Sequence, residues 1–466
     1  MSNKRGSFFK RALAASLLAV LPVSAAGCVT TASSSTPTSQ TSSEGEIDVN
    51  GYEFSVVSLW GTNTYFNPQK GESAKQDYYY ERLRDIEKEY GCTIKYTGYS
   101  GEDLNQSIIS SAMAGDKFAD FILLDYPRFV SLRASDLLMP MSRMKYIDLE
   151  DTKWSPSAIR VASFNNEVYG IETSSSLGSV MFFNATLLKE KNVTSPYELY
   201  KQGKWTWEEF EKLAKAMTID TDGDHIPDIY GIGTVQWAAL QMEIPFLYSN
   251  GASEIKPDNG TYRYSMLDAD AQEALNFVKG LYDQKLVYPS MPTTNEGGAA
   301  MFKARKVAFM FHQFGFTNSI KDDMEDDYGM VPFPKGPSAS DYVSMHSQYP
   351  VYVATIGTSE PDKSSFIFNL CMEPLAKTGD ETVDDPDYFT RTNSLRDDED
   401  AFQIFKDLSD KVTPLQGMGI VTLSNLTPAI YACTRDGSNS PKASMEAIEN
   451  KIQLQIEDFF KKNKSE

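Results

Sequence analysis

Short apolar runs alternate with amphipathic helical stretches across residues 54–124, and this alternation constrains the fold more than any other feature of the chain. Phe54 to Leu59 reads as a buried strand leading into Trp60 and the polar loop Gly61 to Thr64. Tyr79, Leu83, Ile86 and Tyr90 recur at helical spacing over 74–90, and Gly91 stands where a left-handed C-terminal residue belongs. Thr93 to Tyr96 reads as the next strand. Glu102 to Ala114 forms a second amphipathic helix through Leu104, Ile108, Ile109 and Met113, and Phe121 to Leu124 is a third strand ending at Asp125 and Tyr126. Strand, helix, strand, helix, strand implies a mainly parallel α/β sheet with helices on its faces.

The pattern continues with Val168 to Ile171 and a strand over Ser179 to Phe183. Thr206 with Glu209 three residues on predicts a capped helix over 207–217. Further helices are expected near 236–248, 268–284, 296–304 and 444–462. A folded body from about Ile47 to Glu466 exceeds the size at which one hydrophobic core keeps growing, so two unequal α/β lobes are expected.

The N-terminus carries a different message. Lys4, Arg5, Lys10 and Arg11 precede an apolar, small-residue run from Ala12 to Ala26 that ends Ala25-Ala26-Gly27-Cys28. This is a secretory signal over residues 1–27, too short for a membrane span, and its end resembles a bacterial lipobox with Ala25 in place of the usual Leu. The expectation is a lipidated Cys28, followed over 28–46 by a Ser/Thr leash too poor in apolar groups to fold. That places the chain on the outer face of a cytoplasmic membrane, in a bacterium lacking an outer membrane. The net charge of −20 falls to −24 when the four cations of the signal leave, which argues against nucleic acid and polybasic membrane surfaces. Cys92, Cys371 and Cys433 cannot make a disulfide framework; one bridge is open to them, and the sequence does not say which.

Five local patterns, in order, resemble the sugar-binding branch of the extracellular solute-binding lipoproteins of ATP-driven (ABC) importers, the branch that includes maltose-binding proteins. They are Ala119 to Asp125; Asn166 to Glu172, followed by Val180 to Asn184 and Leu187-Leu188; Trp205 to Phe210 with Ala214-Lys215; Met301 to Lys303 with Lys306 to Met310 and His312 to Phe314; and Tyr328 to Pro337. The family reads Gly-Lys-x-Tyr-Gly-Ile-Pro where this chain has Asn166-Glu-Val-Tyr-Gly-Ile171-Glu172. The resemblance covers about Phe54 to Phe368 and implies a two-lobed periplasmic-binding-protein type 2 fold, with mainly parallel sheets in each lobe and a hinge of crossing segments. Residues 47–172 plus 337–375 would form one lobe and 173–336 plus 376–466 the other. The chain would cross near Ile171 to Gly178, return near Val331 to Gly336, and cross again after about Leu370.

A sugar offers apolar C–H faces that stack on aromatic rings and hydroxyls that need paired donors and acceptors. Candidate ligand contacts are therefore aromatics beside planar polar groups at strand ends. They are Trp60 and Asn63 after the first strand, Asp125 and Tyr126 after the third, Glu172 at the first crossing, Gln236 and Trp237 in the second lobe, and His312 and Phe314 after the strand Val307 to Phe311. His346 and Gln348 are weaker candidates. Asp125 reads equally as a helix cap, and Trp205 and Trp207 read as a helix-start staple.

Separately, Asp220, Asp222, Asp224 and Asp228, with the carbonyl of Ile226, alternate as the ligands of a hard-cation loop do. Gly223 and Gly231 depart from the EF-hand pattern, so the loop looks closer to thrombospondin type-3 and dockerin loops, and a structural Ca2+ is expected. No Gly-x-Ser-x-Gly, His-Glu-x-x-His, phosphate loop or dinucleotide fingerprint occurs, and there are only three histidines. The expectation is a monomeric, non-enzymatic carrier without a catalytic cofactor, passing a mono- or oligosaccharide to membrane permease subunits. A signalling receptor with a non-sugar ligand and a secreted glycoside hydrolase are the alternatives.

Overall fold

The computed structural model describes residues 47–462, apart from 62, 64, 100–103, 175, 237, 259, 260, 375 and 376. The expected signal, Cys28 and its leash lie outside the described residues, as does Trp237.

In chain order the strands are β1 (Glu53–Ser58), β2 (Thr93–Gly98), β3 (Phe121–Asp125), β4 (Ser163–Phe164), β5 (Glu167–Val168), β6 (Ser179–Asn184) and β7 (Tyr230–Gly233). They continue with β8 (Ile255–Asp258), β9 (Thr261–Tyr264), β10 (Val307–Gln313), β11 (Tyr328–Val331), β12 (Ser344–His346), β13 (Pro350–Val353) and β14 (Val412–Pro414). Two four-stranded sheets organise them, in the orders β13-β3-β1-β2 and β11-β6-β10-β7.

The first sheet follows the alternation in the sequence. Helix α1 (Ala74–Tyr90) starts at Ser73, whose Oγ accepts the Gln76 N–H, and stops at Gly91 with φ of 66°. A β-carbon on Gly91 would also meet Asn50 Oδ1 at 2.3 Å, so both backbone and space demand glycine. α2 (Leu104–Ala114) returns the chain to β3, all five residues of which are buried. β1 pairs parallel with β2 and β3, while β13 closes the edge antiparallel to β3. Against one face lies an aromatic stack: Phe121 and Phe368 sit 3.8 Å apart at 13°, and Trp154 lies parallel to Phe368 beyond them.

The second sheet is less parallel than the motifs suggest. β10 pairs parallel with β7, but β6 runs antiparallel to both β10 and β11. A right-handed crossover enforces parallel direction only between strands joined within one sheet. β6 follows the β4–β5 hairpin and the bridge from Ile171 to Tyr352, not a crossover from a strand of its own sheet, so no crossover fixes its direction. Other elements also differ locally. Val168 to Ile171 supplies only the hairpin partner β5 and a bridge from Ile171 to Tyr352. The helix expected over 236–248 is a 3-10 turn at Ala238–Leu240 and a helix at Glu243–Tyr248. Pro245 lacks an N–H and is accommodated only in a first turn, which moves the helix start to Glu243.

At the helix Trp207–Ala216, Thr206 Oγ1 accepts the Glu209 N–H, and the fully buried Trp205 packs edge-on against Phe210, the staple geometry. Residues after Pro332 stay with the second sheet for longer than the Val331–Gly336 return expects. Lys335 N–H donates to Trp205 O, Gly336 N–H to Ser249 O, and Tyr342 Oη to Trp205 O. Only after β12, which pairs with β14, does the chain reach β13 in the first sheet. The outgoing and returning segments touch: a β-carbon on Gly178 would lie 1.9 Å from Met345 O, and the Gly178 N–H donates to Ser344 Oγ. Cys92, Cys371 and Cys433 are all free and buried, so none of the bridges open to them is formed.

Candidate binding site

Parallel strands of an open α/β sheet end in a crevice beyond their carboxyl ends, where ligands bind. In the first sheet that edge carries Trp60, two residues past β1, and the start of β13. Trp60 is held by its backbone: its N–H donates to Ser58 Oγ at 3.1 Å and its carbonyl accepts from Tyr96 Oη at 2.6 Å. A gap of about 430 Å3 opens here, lined by Trp60, Leu123, Glu172, Ser176, His346, Gln348 and Pro350.

Glu172 enters the gap from the outgoing segment, immediately after Ile171 pairs with Tyr352. It is 4 % exposed, and Oε1 accepts the N–H groups of Thr173 at 2.8 Å and Ser174 at 3.3 Å. Burial pushes its pKa up to about 7 against the opposing pull of those amides. His346 comes from the returning segment. Its Nδ1 accepts the Gln348 N–H at 3.1 Å, so in the neutral ring Nε2 carries the hydrogen and donates to Ser176 Oγ at 3.1 Å. Burial lowers its pKa to about 4, keeping it uncharged at neutral pH. The gap therefore presents an indole, a carboxyl that both donates and accepts near pH 7, a neutral imidazole edge and an amide. Glu172 is the one carboxyl among these lining residues.

Residues 68–363, well over half of the chain, match the family model for the bacterial extracellular solute-binding protein. The chain belongs to that family. This solute-binding protein is similar in fold to the sugar-binding protein MalE of Xanthomonas citri, with 16% identity, a TM-score of 0.64, and coverage of 89% of this chain and 100% of that one. It is also similar to the ABC substrate-binding protein Lmo0181 of Listeria monocytogenes in complex with cycloalternan (14% identity, TM-score 0.58, 87% and 99% covered). A cyclo/maltodextrin-binding protein complexed with maltotetraose shares the fold too (14% identity, TM-score 0.58, 91% and 99% covered). No curated protein matches the chain in sequence. Among the described residues no helix is long and apolar enough to cross a membrane.

Of the residues singled out from the sequence of this solute-binding protein, Trp60 and Glu172 meet in the gap, joined by the weaker candidates His346 and Gln348. The other candidates among the described residues are placed elsewhere, and Trp237 lies outside the described residues. Asn63 fixes its own loop: Oδ1 accepts the N–H groups of Tyr65 and Phe66, and Nδ2 donates to Tyr352 Oη at 2.6 Å. Asp125 caps α3 (Tyr126–Ala134) through the Arg128 N–H and pairs with the Arg128 guanidinium at 2.7 Å. Tyr126 turns to a separate cavity. His312 is inside the second half, its Nε2 3.1 Å from Asn295 Oδ1 and its ring stacked on Phe316. Phe314 packs on Phe405. Gln236 is exposed, and its carbonyl accepts from Tyr431 Oη and Arg435 Nη1. Ser176, Leu123 and Pro350 were not singled out as contacts: Leu123 lies within the Ala119–Asp125 motif, which does not tell which strand residue faces the gap, while Pro350 arrives on β13 and Ser176 on the outgoing segment.

In the acidic loop, carboxylate oxygens of Asp220, Asp222 and Asp224 lie within 4.8 Å of one another. Asp228 closes the loop on Thr221: its Oδ2 accepts the Thr221 N–H at 2.8 Å and the Thr221 hydroxyl. The Ile226 side chain is exposed, and its N–H donates to Asp224 Oδ1.

Proposed function

We propose that this protein is the carbohydrate receptor of an ATP-driven importer, binding its sugar in the gap at Trp60 and delivering it unaltered to membrane permease subunits. The observation that carries this reading is the meeting of Trp60, Glu172 and His346 on one gap at the carboxyl ends of the first sheet. The indole offers a flat apolar face, and the carboxyl, imidazole and amide offer uncharged or switchable hydrogen bonds suited to hydroxyls. The fold relatives that bind cycloalternan and maltotetraose support the ligand class. Because the gap is lined by both crossing segments and the first sheet, a bound sugar draws the hinge closed by contacting all of them.

The test is a calorimetric and thermal-shift screen over maltose, maltotetraose, mannotriose and cycloalternan. A binder at 100 times its Kd adds about 2.7 kcal/mol of apparent stability. Trp60→Ala is expected to weaken that binding about tenfold or more. Silence across the panel, or release of free sugar from it, overturns the reading. In the same scans we propose that Ca2+ sits at Asp220, Asp222 and Asp224, so calcium raises the melting temperature and Asp222→Asn removes the rise; equal melting in calcium and chelator refutes it. We also propose the lipid anchor at Cys28. Cys28→Ser is expected to move the protein from the membrane fraction to the medium, and unchanged fractionation counts against the anchor.

A further inference from the structure

The Lys153 side chain is 3 % exposed, and its amine stands against an amide and a carboxyl carried by one helix. Nζ donates to Asn369 Oδ1 at 2.7 Å and to Glu373 Oε1 at 2.5 Å, and Asp151 Oδ2 lies 3.2 Å away. Asn369 is in the last turn of the helix Pro361–Met372 and Glu373 is its C-cap, one turn further on. Asn369 Nδ2 in turn donates to Glu373 Oε1 at 3.2 Å. One carboxylate oxygen therefore touches both the Lys153 nitrogen and the nitrogen of the Asn369 amide.

Packing holds these groups in place. Trp154 follows Lys153 in the chain and Phe368 precedes Asn369, and their rings lie parallel, 6.2 Å apart at 12°. Both rings are buried in the core of the first sheet. Trp154 Nε1 donates to Asp148 O at 2.8 Å, and Arg82 ties down the end of the helix by donating to Leu370 O and Glu373 O. Neither segment can draw the amine away from the amide, and such fixed proximity is what raises the rate of an intramolecular reaction. None of the three residues lines the Trp60 gap, so sugar binding does not account for them.

An ammonium held by three acceptors is inert while it keeps its protons. The shared oxygen supplies the way to remove them, because a proton carrier must lie within hydrogen-bond reach of both the atom that loses the proton and the atom that gains it. We infer that Lys153 and Asn369 condense into an intramolecular isopeptide bond, with Glu373 as the proton carrier. Glu373 Oε1 takes a proton from the Lys153 ammonium, and the freed lone pair attacks Asn369 Cγ to form the Nζ–Cγ bond. Two protons in all pass from Nζ through Glu373 to Nδ2, the Cγ–Nδ2 bond breaks, and the nitrogen leaves as ammonium. One alkylammonium and one primary amide give one secondary amide and one ammonium ion, so atoms and charge balance and no electrons are exchanged. The neutral product also removes the cost of keeping an ammonium at a buried position. Lys153 and Glu373 line a cavity of about 620 Å3, which gives the departing ammonium an exit. The new bond would join residues 216 positions apart and so restrict the unfolded chain, as a long-range cross-link does.

The experiment is tryptic digestion of the denatured full chain followed by tandem mass spectrometry, on the parent protein, Lys153→Arg and Glu373→Gln. In the parent, the peptides containing Lys153 and Asn369 are expected as one branched species, lighter than their sum by one ammonia and uncleaved after Lys153. Both variants are expected to yield the two peptides separately, with circular dichroism checking that each is folded. Loss of ammonia by an asparagine elsewhere leaves these peptides unjoined, so the branched species is specific. Separate peptides from the parent protein overturn the inference, whatever the variants do. A branched species that persists in Glu373→Gln overturns the role given to Glu373.

Discussion

Asp120→Ala is expected to destabilise the protein by roughly 3–5 kcal/mol, the cost of removing one partner from a buried, hydrogen-bonded charge. Asp120 is fully buried and gathers three parts of the first sheet's surroundings onto one carboxylate. Oδ1 accepts from Tyr52 Oη at 2.5 Å and Ser364 Oγ at 2.6 Å, and Oδ2 from Ser55 N–H at 2.8 Å, Ser55 Oγ at 3.0 Å and Lys117 Nζ at 3.0 Å. Alanine strands the buried Tyr52 and Ser364 hydroxyls, while Lys117 is partly exposed and turns to water, and Asp120→Asn, which keeps an acceptor, is expected to lose less. Urea unfolding followed by tryptophan fluorescence measures the difference. A loss below about 1 kcal/mol for the alanine variant refutes this account of the carboxylate.

Glu172→Gln is expected to change the dependence of stability on pH by roughly 3 kcal/mol. Burial raises the Glu172 pKa from 4.5 to about 7, so between those values the folded protein holds a proton that the unfolded chain has released. Stability contributed by this group is complete below pH 4.5 and is lost as pH climbs toward 7. Glutamine does not titrate and keeps an oxygen for the Thr173 and Ser174 amides. The variant should therefore gain on the parent protein as pH rises from 4.5 to 7.5. His312 and His346, both lowered to about 4, act in the opposite sense, losing stability as pH falls through 6.5 toward 4. Because both proteins contain them, they cancel in the difference between the two curves. A difference that stays flat across this range shows that folding does not raise the Glu172 pKa.

These two residues also illustrate what local pattern reveals. Asp120 and Asp125 belong to the same apolar strand motif, and the motif reads as a strand reaching toward ligand. The strand is there, but Asp120 is bound into the core and Asp125 is occupied as the cap of α3. A strand-end aspartate looks the same in sequence whether its oxygens meet a helix amide or a solute. Glu172 is the converse. Its place at the first crossing was readable from the neighbouring Tyr169-Gly170-Ile171 pattern, and the backbone pairing of Ile171 with Tyr352 delivers it to the gap. His346 and Gln348 have no such pattern around them, and they arrive only because the returning segment passes Gly178 in backbone contact.

What the sequence by itself determined was local and periodic. The bounds of α1, the capped helix at Trp207 with its Trp205 staple, three of the four strands of the first sheet and membership of the solute-binding family all follow from spacing, capping groups and ordered short motifs, which act over a few residues. What only the tertiary structure decided was direction, occupancy and company: that β6 runs antiparallel, that Asn63 and Asp125 spend their hydrogen bonds on the scaffold, and that Tyr126 faces a different cavity from Trp60. Those outcomes depend on which distant segment fills the space beside each side chain. Segments separated by more than a hundred residues, such as Ile171 and Tyr352, meet through packing that no local pattern encodes.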